Sequence, residues 1–169
     1  MGINSCQVLS KIIQKYSSFS YLDLSENNIG NEGISYLCEG ILLNYSLVSL
    51  ILSSNSIFSE GSNILFSKLK EHPSISSINL SNLKNSYKNM IANKGCAMLQ
   101  SFFETNRIIS LLNVSDNNIG NEGFSAITEG LAKSQSLVSL NLSKNYLPKS
   151  CIYIMSRLTR QSNYQFWNA

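Results

Sequence analysis

Residues 27–33 and residues 117–123 are the same seven, Asn27-Asn28-Ile29-Gly30-Asn31-Glu32-Gly33 returning 90 residues later. The run Ser46-Leu47-Val48-Ser49-Leu50 also returns, as Ser136-Leu137-Val138-Ser139-Leu140. A finer unit opens at Phe19, Leu47, Ile75, Ile109 and Leu137, at spacings of 28, 28, 34 and 28. Each opening reads L-x-x-L-x-L, where L is a large apolar residue. The inner pairs are Leu22/Leu24, Leu50/Leu52, Ile78/Leu80, Leu112/Val114 and Leu140/Leu142. A chain built this way stacks repeats, each burying its apolar side only against its neighbours.

The two halves of a unit have different periods. In the first half, apolar residues alternate, which puts them on one face of a strand. The second half opens with a helix start: Asn31-Glu32-Gly33, Ser59-Glu60-Gly61, Asn93-Lys94-Gly95 and Asn121-Glu122-Gly123. Asn or Ser there is expected to cap the open N–H groups, and Glu suits the positive end of the helix dipole. Apolar residues follow on one helical face, as Tyr36, Leu37 and Ile41 after Gly33, or Ala126, Ile127 and Leu131 after Gly123. A strand and a helix in every unit predict a parallel sheet with helices on its other side. Helices are wider than strands are spaced, so the stack curves with the sheet inside. Five strands and six helices are expected.

The segment Leu22-Asp23-Leu24-Ser25-Glu26-Asn27-Asn28-Ile29-Gly30, with its copies at 50–57, 112–120 and 140–147, resembles the leucine-rich repeats of the ribonuclease-inhibitor type. That resemblance covers residues 5–164. It implies an α/β horseshoe solenoid, with parallel strands on the concave face and α-helices on the convex face. It also implies that Asn27, Asn55, Asn117 and Asn145 hydrogen-bond the backbone of adjacent turns. The whole chain, 1–169, reads as one such domain. Residues 1–18 form a half repeat that caps the first unit, through Val8, Leu9, Ile12 and Ile13. Repeats start at 19, 47, 75, 109 and 137, and 165–169 form a C-terminal edge.

The departures are informative. In the third unit Leu83 stands where the Asn is expected, and six extra residues fall within 83–93. The segment with Lys84, Tyr87 and Lys88 should therefore bulge from the rim, where repeat proteins collect partner contacts. At the C-terminus, Tyr164-Gln165-Phe166-Trp167 sits where a sixth strand would begin. It either pairs with the fifth strand or folds its aromatics over the open end.

No catalytic constellation emerges. His72 precedes Pro73 in a connection and reads as a turn residue. Glu32 and Glu122 are explained by helix capping, and the recurring Gly residues by the repeat. No cofactor or metal site is expected: Cys6, Cys38, Cys96 and Cys151 lie far apart with a single His. They read as reduced thiols on apolar helix faces. The opening Met1-Gly2-Ile3-Asn4-Ser5-Cys6 departs from a myristoylation signal at Cys6. With no secretory signal or membrane-length apolar run, the expected setting is cytoplasmic, including cytoskeletal or ciliary assemblies. The N-x-S matches at Asn44, Asn79, Asn113 and Asn141 are then not glycan sites.

A binding surface remains. The concave face should carry the other strand residues: small polar side chains among the exposed apolar anchors Tyr21, Ile51 and Leu111. The bare edge of the stack adds Phe166 and Trp167. Charge is uneven, with two Lys against five acids in residues 1–60 and eleven bases against five acids beyond. From Leu131 onward there are five bases and no acid. Without aromatic residues interleaved along a basic groove, nucleic acid is disfavoured, and protein partners are expected, including a large multi-subunit complex. The functional expectation is a non-enzymatic interaction module, a scaffold or adaptor. The resemblance leaves two alternatives, a GTPase activator of the Ran-activator type and the sensing repeats of a larger receptor. The acidic tail of such activators has no counterpart here.

Overall fold

The computed structural model describes residues 1–84, 87–148, 150–151 and the backbone of 165–167. A helix, α1 (Ile3–Lys15), precedes four strand–helix units: β1 (Tyr21–Asp23) and α2 (Gly30–Ile41), β2 (Ser49–Ile51) and α3 (Ser59–Leu69), β3 (Ser77–Asn79) and α4 (Ala92–Thr105), β4 (Leu111–Asn113) and α5 (Asn121–Leu131). Two further strands follow, β5 (Ser139–Asn141) and β6 (Gln165–Trp167). All six pair in sequence order and in parallel. Strands lie about 4.8 Å apart and helices need about 10 Å, so the helical side forms the outer, convex layer.

The sheet exceeds expectation by one strand. β6 adds to β5 with Leu140 opposite Phe166, the pairing alternative for the C-terminus. An unpaired strand edge leaves N–H and C=O groups open, and β6 satisfies those of β5. The helix expected after β5 and the side chains of Phe166 and Trp167 lie outside the described residues, as do Lys149, Arg157 and Arg160. Five helices are present among the described residues.

Alternation within the strands and their continuations builds two columns. Leu50, Ile78, Leu112 and Leu140 form one, and Leu24, Leu52, Leu80, Val114 and Leu142 the other; all are buried. Ile29, Ile57, Ile91 and Ile119 add a third at the helix entries. Fully burying such a side chain contributes about 1.5–3 kcal/mol. The helices close the core with Leu37, Ile41, Leu65, Phe66, Leu99, Phe102 and Ile127.

Polar ladders tie the turns together. Asn55 Nδ2 donates to the Leu24 carbonyl at 2.7 Å, Asn117 Nδ2 to Leu80 at 2.9 Å and Asn145 Nδ2 to Val114 at 3.0 Å. Asn55 and Asn145 also accept, through Oδ1, the backbone N–H of Asn27 and Asn117. The Asn27 side chain donates within its own turn, to Leu24 and Ser25. The third repeat corrects the expectation of a missing rung. Asn89, six residues beyond Leu83, donates to Leu52 and Leu80 and accepts from Asn55 and Ile57. The insertion therefore lies before the asparagine rather than after it.

A second ladder runs where helices return to strands. Asn44 Nδ2 donates to Ile13, His72 Nε2 bonds the Ile41 carbonyl at 3.0 Å, and Asn106 Nδ2 donates to Leu69. All three are buried. Each also receives two backbone N–H groups of its own turn: Ser46 and Leu47, Ser74 and Ile75, Ile108 and Ile109. Burial holds His72 below the usual imidazole pKa. The neutral ring thus donates from Nε2 and accepts at Nδ1.

Helix capping also differs from expectation, since none of the five helices among the described residues is capped by its own N-cap side chain. For α3 and α5 the caps come from the preceding repeat. Asn31 Oδ1 accepts the Phe58 N–H at the start of α3, and Asn93 Oδ1 accepts Gly120 and Gly123 N–H at the start of α5. Asn31 and Asn93 lie one residue inside their own helices, aimed sideways at the next turn.

Candidate protein-binding face

The strands present two ranks of outward side chains. Register places Tyr21, Ser49, Ser77, Leu111 and Ser139 in one rank, and Asp23, Ile51, Asn79, Asn113 and Asn141 in the other. Tyr21 and Leu111 are exposed, at 57% and 46%, separated by Ser49 and Ser77. Three strand spacings put them about 14 Å apart. Ile51 is half-buried rather than exposed, because Asp23 and Asn79 flank it on both sides. Ile51 and Leu111 line one depression of about 290 Å³, with Ser77, Asn79, Asn113 and Ser139 between and beside them. Tyr21 lies outside it, on the edge strand β1. Thus two of the three expected anchors line one depression.

Continuing the strands, Ser53, Ser81 and Ser115 are buried rather than presented to solvent. Ser53 and Ser81 join through their hydroxyls at 3.2 Å, packing under the rim of the loops. Asp23 Oδ1 accepts both the hydroxyl and the N–H of Ser25, at 2.6 and 2.9 Å, and these bonds lower its pKa. The β1 end of the face therefore carries a fixed negative charge.

The inserted loop gives a second surface. Lys84, Tyr87 and Lys88 are exposed. Both described ends of the loop are anchored: the Tyr87 carbonyl accepts Ser56 N–H at 2.8 Å, and Leu83 N–H reaches Ser54 Oγ at 2.8 Å. Lys88 Nζ pairs with Asp116 at 3.0 Å, so its charge is already engaged. Lys133 is likewise paired, with Glu104 at 2.8 Å, which tempers the basic run seen beyond Leu131. The loop and the Ile51/Leu111 depression are distinct places on the molecule, because the loop leaves β3 past its end.

Sequence reasoning missed Asn89 and the rung role of His72. Both were traceable in principle. Asn89 lies beyond Leu83 by the length of the insertion, and His72 falls 28 residues after Asn44 and 34 before Asn106, matching the repeat spacing. Among the described residues, no helix is long and apolar enough to cross a membrane.

A family model described as Leucine Rich repeat matches residues 17–38 and 105–127. Among curated proteins, the chain is 28% identical over 166 residues to the mouse NACHT, LRR and PYD domains-containing protein 14, covering 95% of this chain and 16% of that protein. It is 29% identical over 145 residues to mouse Ribonuclease inhibitor, covering 85% and 30%. The chain thus spans less than a third of these relatives. Among solved structures, the leiomodin-1 actin-binding site 2 superposes with a TM-score of 0.71 at 16% identity, covering 95% of this chain and 89% of that one. The tropomodulin C-terminal domain of Caenorhabditis elegans gives 0.73 at 14%, covering 95% and 93%. These last two likenesses are of fold.

Proposed function

Because the chain is a leucine-rich-repeat protein of the ribonuclease-inhibitor type, we propose that it is a non-enzymatic protein-binding module, a scaffold or adaptor in a cytoplasmic assembly. One observation carries this reading: Ile51 and Leu111, from β2 and β4, line a single open depression on a face otherwise made of Ser and Asn. Interfaces draw most of their energy from a few apolar anchors within near-neutral polar contacts. Tyr21 extends that surface toward β1, and the Lys84–Lys88 rim and the Phe166–Trp167 edge are further contact points in this reading.

The test is affinity capture with the chain as bait, wild type against the double variant Ile51→Ser with Leu111→Ser. Loss of specific partners from a folded double variant supports the concave assignment. Retention of every partner would move binding to the rim loop or the helical side. Two arms address other readings. Stimulated GTP hydrolysis across a panel of small GTPases would replace the adaptor reading with an activator. Co-sedimentation with actin filaments tests whether the partner named for the leiomodin-1 structure extends to this chain.

A further inference from the structure

The second rank of the concave face is chemically polarised. Asn79 Oδ1 accepts Ser81 N–H at 3.0 Å, Asn113 Oδ1 accepts Ser115 N–H at 3.1 Å, and Asn141 Oδ1 accepts Ser143 N–H at 3.0 Å. A backbone N–H needs an acceptor opposite it, so these bonds fix which way each carboxamide points. The oxygens are occupied and the Nδ2 groups are left over. Register places the three on adjacent strands β3, β4 and β5. Each is half-buried. Among the described residues none of the three Nδ2 groups has a hydrogen-bond partner. At the opposite end of the rank Asp23 makes the same turn with a carboxylate, and so presents charge instead of donors.

From this juxtaposition, the geometry points to a carboxylate-bearing helix of a partner protein as the occupant of the concave face, its acidic residues on Asn79, Asn113 and Asn141 and its apolar residues on Ile51 and Leu111. The inference rests on the protein-binding reading above and narrows the partner. Ionised carboxylates are acceptors only, and their hydrogen bonds are roughly twice as strong as neutral ones. Spacing selects the helix. The donors follow one another at the strand interval of about 4.8 Å. Carboxylates three or four residues apart on a helix start about 5–6 Å apart at Cβ. Carbonyls on one side of an extended peptide recur at about 6.6 Å, which falls out of step. Asp23 sets the direction by repelling acids, so the acidic end lies over β3–β5.

The experiment is an NMR titration of the 15N-labelled full chain, following side-chain NH2 signals. The probes are three helical peptides alike except on one stripe, which carries Glu, Gln or Lys among constant Leu residues. Single Asn→Asp variants assign the three NH2 pairs and also serve as functional tests. Asp23 shows that a carboxylate supports this turn, so Asn113→Asp keeps the fold. The Glu peptide is expected to shift the three NH2 pairs together and to bind at least about tenfold more tightly than the Gln peptide. Asn113→Asp should weaken the Glu peptide by about tenfold and leave the Gln peptide unchanged. Equal or tighter binding of the Gln or Lys peptide at the Ile51 and Leu111 methyls overturns the acidic-helix assignment while leaving the concave face as a binding surface. Displacement of the Glu peptide by an RNA oligonucleotide that shifts the same NH2 pairs overturns it too. No peptide binding overturns it outright, and the concave assignment falls with it only if the Ile51→Ser/Leu111→Ser variant also retains every captured partner, which moves binding to the rim loop or the helical side.

Discussion

Asn89 and Asn55 are joined across repeats, the Asn55 N–H donating to Asn89 Oδ1 at 2.9 Å. Asn89 also takes the Ile57 N–H and gives its own amide protons to Leu52 and Leu80. All four partners are buried main-chain groups. Asn89→Ala leaves several of them unpaired, and each such buried group costs about 1–3 kcal/mol. A loss of about 2–4 kcal/mol is expected in urea unfolding. Lys84→Ala, on the exposed part of the same loop, should stay within about 0.5 kcal/mol. Equal effects of the two would show that Asn89 is not the rung.

Deleting residues 83–88 follows from the same register. The deletion joins Asn82 to Asn89 and leaves Ser81-Asn82-Asn89-Met90-Ile91, which aligns with Ser53-Ser54-Asn55-Ser56-Ile57. The product is a repeat of ordinary length with its rung retained. It gives up the Lys88–Asp116 pair, and an exposed ion pair of that kind contributes about 0–1 kcal/mol. Shortening a loop by six residues changes closure entropy by a similarly small amount. The variant should fold with a thermal midpoint within a few degrees of wild type, by circular dichroism. Failure to fold would mean that Leu83 and Tyr87, through Ser54 and Ser56, hold the rim in a way the other repeats do without.

Much of this architecture is legible in the amino-acid sequence. The 28-residue period and the change from alternating to helical spacing dictate sheet, helices and the inward columns from Leu24 to Leu142. The sequence was less informative where one residue type serves several ends. Asn31 looks like the cap of its own helix, yet its oxygen serves Phe58, because side chains on stacked turns meet sideways as easily as along the chain. Ile51 looks like an exposed anchor beside Tyr21, but exposure depends on which side chains flank it: Asp23 and Asn79 cover Ile51, whereas only Ser77 and Ser139 flank Leu111. Its depression with Leu111 required the register of β2, β3 and β4. His72 was hidden by being chemically unlike the two asparagines whose job it shares.

Gly40 on α2 faces α1 so closely that an added Cβ would stand 2.1 Å from the Ser10 carbonyl oxygen. Gly130, on α5, meets Gln100 Cα of α4 at 2.8 Å in the same sense. Backbone cannot step aside as a flexible side chain can, so Gly40→Ala must push α1 off the first repeat. Overpacking of this kind costs about 1–3 kcal/mol, even though Ala favours a helix over Gly by about 1 kcal/mol. Gly2→Ala meets nothing nearby and should be neutral. Hydrogen exchange localises the effect: Gly40→Ala should speed exchange in α1 before the rest of the chain.

Burial pushes the thiols of Cys38 and Cys96 up to about 12 from 9.0. At pH 8 the thiolate fraction then falls from about one in ten to about one in ten thousand. Both thiols should resist an aromatic disulfide reagent in the native protein and react at once in denaturant. Rapid native labelling of Cys38 would mean that α2 and α3 separate on the time scale of the assay.

His72 predicts the response to acid. Its pKa is lowered in the folded protein by burial, against an unfolded value near 6.5. The unfolded chain therefore binds the proton more readily. The neutral ring's contribution is complete above about pH 6.5 and is lost as pH falls from there through the folded pKa. Asp23 and Glu104, whose pKa values are also lowered, start from 3.8 and 4.5, so their contributions fade only at lower pH. Comparing urea midpoints at pH 7.5 and pH 5.0 thus isolates the imidazole, the only His in the chain. Asn fills the equivalent rung at 44 and 106, donating to the same kind of carbonyl and accepting the same pair of N–H groups. His72→Asn should fold, keep most of its stability at pH 7.5, and lose most of the drop toward pH 5.0. An unchanged drop in that variant would place the acid sensitivity outside the second ladder.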